Sequence, residues 1–126
     1  MKKQIIHTNA APAALGPYSQ AVRVGDIVYI SGQTPLDPST MELVSGGINS
    51  QAQQVFENLS AIARAAESEL AHAVKLTIYL TDLDNFQSVN KVMLNYFEEP
   101  FPARVTVGVA SLPKAAAVEI DAILVV

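Results

Sequence analysis

Residues 100–126, PFPARVTVGVASLPKAAAVEIDAILVV, decide the fold of this chain. Alternation in the last part is strict. Val118, Ile120, Ala122 and Leu124 form one apolar set, with Glu119, Asp121, Ile123 and Val125 between them. Successive side chains of a strand point to opposite faces, so this is a strand with two different faces. In the first part Val105, Val107 and Val109 alternate with Arg104, Thr106 and Gly108. The valines suit a helix-covered side, which predicts Arg104 on the face that helices leave open. The final strand then puts Glu119 and Asp121 on that same open face.

The rest of the chain supplies the layer above. AVRVGDIVYISG (21–32) reads as two short strands joined by a hairpin at Gly25-Asp26. Pro35, Pro38, Gly46 and Gly47 punctuate a loop, QTPLDPSTMELVSGG (33–47). Ile48, Ala52, Val55, Phe56, Leu59, Ile62, Ala63 and Ala66 recur at three- and four-residue spacing and predict a helix with one apolar stripe. Ser50 with Gln53 is the candidate capping box, a start one turn earlier being the alternative. In AVKLTIYLT (73–81), Val74, Leu76, Ile78 and Leu80 face one way. Asp84 then offers an N-cap to a second helix, whose buried face is Phe86, Val89, Met93, Tyr96 and Phe97. Pro100 and Pro102 should stop it.

Strands, helix, strand, helix, strands predict an α+β two-layer sandwich in one domain over 1–126, with both helices on one face of a mixed sheet. The open face then mixes charge with Ile, Val, Tyr79 and threonines. It is too apolar to stay wet, so a partner sheet should cover it and the chain should be an oligomer. Arg104 and Glu119 would lie at or near the subunit boundary.

Composition narrows the function. Of 126 residues, 50% are hydrophobic and 16% charged, which is globular but sparsely charged. Net charge is −4 with no basic stripe, so duplex nucleic acid is not an expected partner. There is no cysteine, hence no disulfide, thiolate chemistry or cysteine metal site. His7 and His72 are isolated, so no metal site is expected. No run suits a signal peptide or a bilayer span, and a cytoplasmic protein is the simple expectation.

Several residue types carry chemistry. The guanidinium of Arg104 can grip a carboxylate through two parallel hydrogen bonds. Glu119 can take a proton from water if its pKa lies near the working pH. From pattern alone the simpler reading of the same two residues is a structural ion pair that makes oligomerisation specific. Asp121 reads as a solvated or subunit-contacting charge, and its place beside Glu119 on one strand does not suit a glycosidase pair. Tyr18, in GPYSQAV, either closes over a ligand or anchors the N-terminal segment. Ser31 and Gly32, in YISGQTP, either offer a hydroxyl donor and close backbone approach or simply end a strand. Asn90 reads as a polar residue linking the second helix to a nearby loop.

Taken together, GPYSQAV, ISGQTP, YLTDLDNFQSVN, FPARVTVGVASLPK and VEIDAI resemble, in order and over essentially the whole chain, the signature segments of the reactive intermediate/imine deaminase (RidA) family. The resemblance implies a chorismate-mutase-like fold and a homotrimer whose sheets form an inner barrel, with ligand clefts between subunits. It implies hydrolysis of 2-iminopropanoate, 2-iminobutanoate, 2-aminoacrylate and similar imines or enamines, released by pyridoxal-phosphate enzymes, to 2-keto acids and ammonia, with no cofactor. It assigns Arg104 to the substrate carboxylate and Glu119 to the attacking water. Tyr18, Ser31, Gly32 and Asn90 line the cleft, and the backbone around Thr106 meets the imine nitrogen. Many relatives have cysteine at the position of Thr106 and glycine at that of Glu67. The threonine should be tolerated, without thiol regulation, and Glu67 should shift the end of the first helix. A non-catalytic binder of small carboxylates or of a protein partner is the alternative. A ribonuclease, an activity attached to some relatives, is the third reading, and neither the acidic charge nor the histidines favour it.

Overall fold

In a computed structural model that describes residues 2–126, the chain forms one six-stranded mixed sheet, order β1-β2-β3-β6-β4-β5, covered on one side by two helices. The strands are β1 (Gln4–Ile6), β2 (Ala21–Val24), β3 (Ile27–Gln33), β4 (Ala73–Leu80), β5 (Ala103–Gly108) and β6 (Val118–Val125). The helices are α1 (Ile48–Ala65) and α2 (Phe86–Met93). The expected α+β two-layer architecture is therefore present.

The hairpin is as read: Val24 pairs with Ile27, and Gly25 takes φ 60 at the turn, where a side chain would be strained. β4 and β5 run parallel, joined by α2, while every other pair is antiparallel. The stripe of α1 packs on β6, β3 and α2. Val55, Phe56, Leu59 and Ile62 are completely buried, each side chain contributing on the order of 2 kcal/mol by removal from water. Val118, Ile120, Ala122 and Leu124 meet them from the sheet.

Four local expectations are corrected. α1 begins at Ile48 with Gly47 as its N-cap, so Ser50 lies inside the first turn and forms no capping box with Gln53. α2 is preceded by a short 3-10 turn, Leu83–Asn85, and its cap is Asp82, whose carboxylate accepts from the Asp84 N–H at 2.9 Å. α2 ends at Met93, well before Pro100. Tyr96 and Phe97 instead fold back on Phe56, with ring centroids 5.1 and 5.9 Å from it. Val74 is exposed rather than in the core, because the β4–β6 register shifts between Ala73 and Lys75 and leaves it unpaired.

Glu67 does not move the helix end by refusing the left-handed conformation; it adopts it, at φ 59. The Ser68 N–H then reaches the Ala63 carbonyl (2.9 Å) and the Glu67 N–H reaches that of Arg64 (3.0 Å), a Schellman closure made without glycine.

The uncovered face carries Ile5, Ile27, Tyr29, Val105, Val107 and Val125, each more than a third exposed. Thr77, Tyr79, Glu119 and Asp121 lie among them, as the pairings Thr77↔Asp121 and Tyr79↔Glu119 require. Lys75 joins them, so the face is apolar toward its two edges and carries its polar groups across β4 and β6. No helix is long and apolar enough to cross a membrane among the described residues.

Candidate functional site

Arg104 is on the helix side of the sheet, opposite to the expected face. β5 pairs with β4 as Leu76↔Arg104, Ile78↔Thr106 and Leu80↔Gly108, and those β4 residues are core. Val105 and Val107 therefore point to the open face. The physical reason is the place of β5 at the sheet edge. α2 overhangs it only enough to meet Arg104, which stays exposed, while the valines wait for a different apolar cover.

α2 builds a seat for that guanidinium. Phe86, Asn90 and Met93 share one helix face at i, i+4 and i+7. Arg104 Nη1 donates to Asn90 Oδ1 at 2.6 Å and to Met93 Sδ at 3.7 Å, and its central carbon lies 5.0 Å from the Phe86 ring centroid. Leu94, Phe101 and Pro102 complete an open cavity of about 330 Å³ beside it. Among the described residues no carboxylate comes within ion-pair distance of Arg104. The alternative of an Arg104–Glu119 ion pair is therefore not realised within one protomer.

Glu119 belongs to a second place, on the open face of β6. It shares a cavity of about 390 Å³ with Tyr18, Gly32, Met41, Pro113 and Lys114. Gly32 stands directly against it: a Cβ there would lie 3.0 Å from Glu119 Cδ. Burial, and then the Asp121 charge, push the Glu119 carboxyl above its ordinary value. Across from it, the Tyr79 hydroxyl donates to Asp121 Oδ2 at 2.9 Å.

Tyr18 is about half exposed over this cavity. The segment bearing it is pinned by buried Gln20, whose amide donates to the Thr8 and Pro12 carbonyls at 3.0 and 2.8 Å. Ser31 does the same job from β3. Its hydroxyl donates to the Ser19 carbonyl at 2.6 Å and its N–H to that of Gln20 at 2.9 Å, so its proton is committed to the backbone. Thr106 sits between Arg104 and Gly108 with a buried Oγ1 that has no hydrogen-bond partner among the described residues. β5 being an edge strand, its outer row of backbone groups is also unpaired.

The structure thus gathers Arg104 and Asn90 at one site, with Thr106 following on the same face of β5, and Tyr18, Gly32 and Glu119 at another. It does not bring the two together: β4 lies between β5 and β6, and the sheet itself separates the side chains. The seat made by Phe86 and Met93 and the Tyr79–Asp121 pair were not singled out in the sequence as parts of a site. The i, i+4, i+7 spacing of Phe86, Asn90 and Met93 was the available signal. Among the described residues no three His, Asp or Glu side chains converge as a metal cluster.

A family model described as "Endoribonuclease L-PSP" matches residues 8–126. Dermatophagoides farinae has a protein named 2-iminobutanoate/2-iminopropanoate deaminase that is 48% identical over 124 residues, 98% of this chain and 97% of that one. A crystal structure of RidA from the Antarctic bacterium Psychrobacter sp. PAMC 21119 is 53% identical and superposes with a TM-score of 0.94, covering 98% of this chain and 99% of that one. E. coli TdcF with bound serine is 40% identical with a TM-score of 0.92, covering 98% of each chain.

Proposed function

The chain belongs to the RidA family, also described as endoribonuclease L-PSP, and we propose that it hydrolyses 2-imino acids and their enamine tautomers to 2-keto acids and ammonia. The observation that carries this reading is the division of the site. Among the described residues one surface holds a guanidinium with no carboxylate partner, another a half-buried carboxylate with no cation in ion-pair distance. Each is what the other's ligand needs. The named deaminase relative supports the reaction class.

The working unit is a ring of copies, in which Arg104 of one protomer meets Glu119 of the next. Contact between these two different surfaces, repeated from copy to copy, is compatible with a closed cyclic assembly. The apolar face with Tyr29, Val105 and Val107 supplies the contact. We take the ring to be the trimer that the family resemblance implies.

In the joined cleft, Arg104 binds the substrate carboxylate with the N–H groups not used by Asn90, whose oxygen fixes its fork. Glu119 as carboxylate removes a proton from water while oxygen bonds to the imine carbon. The nitrogen takes that proton from Glu119 to give the carbinolamine; Glu119 then passes the hydroxyl proton to nitrogen, the C–N bond breaks and ammonia leaves as C=O forms. An enamine first accepts a proton at carbon and gives one up from nitrogen, becoming the imine. A raised proton affinity makes Glu119 a stronger base near neutral pH than an ordinary carboxylate. Gly32 leaves the space above that carboxylate free of a side chain.

The test is a coupled assay in which an amino-acid oxidase generates 2-iminopropanoate, with imine decay and ammonia release followed together. Acceleration by the folded oligomer is expected; decay at the buffer rate would overturn the reading. A non-catalytic carboxylate binder is the second reading, favoured by the serine-bound state of TdcF. Binding of serine or 2-ketobutyrate by this chain without turnover would establish it instead.

A further inference from the structure

The mechanism leaves one pair of polar groups on the open sheet face unused, Tyr79 and Asp121. We propose that Asp121, held in place by the Tyr79 hydroxyl, is a positioning residue for Glu119: a fixed second negative charge that strengthens Glu119 as the base acting on water. The inference rests on the deaminase reading.

The geometry is specific. Glu119 and Asp121 are two residues apart on β6, and so lie on one face about 6.6 Å apart along the strand. Tyr79 is directly across from Glu119 on β4, yet its hydroxyl goes diagonally to Asp121 Oδ2 at 2.9 Å rather than to its opposite neighbour. The phenol thus holds the aspartate and, among the described residues, leaves the glutamate without a donor of its own. Asp121 and Glu119 are both only partly exposed in a single protomer, on a face whose valines and tyrosines call for a cover. Covering it lowers the local dielectric and strengthens the repulsion.

Within one protomer the other groups that face Glu119 do not cancel this; in the ring the neighbour's Arg104 acts in the opposite direction, equally in the wild type and in Asp121→Asn, so the difference between the two reads Asp121 alone. From β3 comes Gly32, which has no charge. From the 113–115 turn comes Lys114, exposed, lining the same cavity but outside ion-pair distance. Tyr18 lines the cavity from the N-terminal segment. Lys75 lies on the same open face of β4, opposite Ile123 rather than opposite either carboxylate. Burial and the Asp121 charge both act in one direction on Glu119, toward holding its proton.

The decisive variant is Asp121→Asn. Asparagine keeps an oxygen that accepts the Tyr79 hydrogen bond, so a purely structural pair survives and only the charge is lost. Two readouts are taken on the full-length oligomer, its mass checked first: the pH profile of kcat/KM for 2-iminopropanoate, and direct NMR titration of the Glu119 carboxyl carbon. Glu119 should ionise at lower pH in the variant, moving the acid limb and the NMR midpoint down together by about 0.5 to 1 unit. The plateau should fall about twofold to fourfold, as a weaker base requires. Asp121→Glu, which keeps the charge, should hold both midpoints near the wild-type position. An unmoved Glu119 midpoint in Asp121→Asn would overturn the inference. A midpoint that moves in a protein with no imine hydrolysis would leave the electrostatic pairing standing and sink the deaminase reading instead.

Discussion

Gly32 and Glu119 are in contact across the β3–β6 junction, backbone against carboxylate, with no room for a methyl group: a Cβ on residue 32 would stand 3.0 Å from Glu119 Cδ and 3.3 Å from its Cγ. The glutamate is the movable partner, since its side chain ends in an open cavity. Gly32→Ala should therefore fold and displace the carboxylate rather than the sheet. We expect kcat/KM for 2-iminopropanoate to fall on the order of 100-fold, as for a catalytic group shifted by about an ångström, with the melting temperature nearly unchanged. Full activity in Gly32→Ala would show that Glu119 does not need this position.

Arg104 is oriented by a 2.6 Å hydrogen bond to Asn90 and by the Phe86 ring beneath it. Lysine cannot reproduce the planar fork. Arg104→Lys should raise KM by roughly 10- to 100-fold, the worth of a charged hydrogen bond. Asn90→Ala removes only the orienting acceptor and should raise KM by about threefold to tenfold. Steady-state kinetics on both variants checks the order, with Arg104→Lys the more damaging.

Glu119 also marks the pH dependence of stability. Its folded carboxyl holds a proton more tightly than the ordinary value of 4.5, through burial first and Asp121 second. A raised carboxyl favours the folded state fully below the unfolded value, and that contribution is lost as pH rises through the folded one. Glu119→Gln removes this loss. Thermal melts should show the variant gaining on the wild type as pH rises from about 4.5, then keeping a constant lead above the folded midpoint. A lead that shrinks with rising pH would contradict the sign.

Glu67 closes α1 at φ 59, a conformation that suits glycine and costs other residues about 1 kcal/mol. It is exposed, so nothing else is lost on its removal. Glu67→Gly should stabilise the protein by about 0.5–1 kcal/mol in chemical denaturation, leaving kcat unchanged.

Much of the fold was legible because the helix stripes and the β6 alternation each have one face that is buried within the protomer. Phe56, Leu59, Ile62 and the Val118–Leu124 set were all read correctly as core. β5 was read upside down for a physical reason. Alternation shows that the faces of a strand differ, and an apolar face says only that something covers it. For Val105 and Val107 the cover is not the helix layer. Val74 misled through a bulge, which strict alternation cannot register. Of the site, the residue types were legible and their grouping was not. Arg104 and Asn90 assemble through the parallel β4–α2–β5 crossover, Glu119 and Gly32 through the antiparallel β3–β6 pair, and the sequence pattern does not say that these end on opposite sides of one sheet.

Arg104 and Glu119 are on opposite sides of the sheet in each copy, so the proposed cleft draws them from different copies. Mixing Arg104→Ala and Glu119→Ala chains, unfolding them together and refolding, tests this directly through 2-iminopropanoate hydrolysis. Each variant alone should be nearly inactive. Random assortment into rings should rebuild intact clefts at about one quarter of the sites, with activity to match. Mixed oligomers of normal mass that are no more active than either parent would contradict the account.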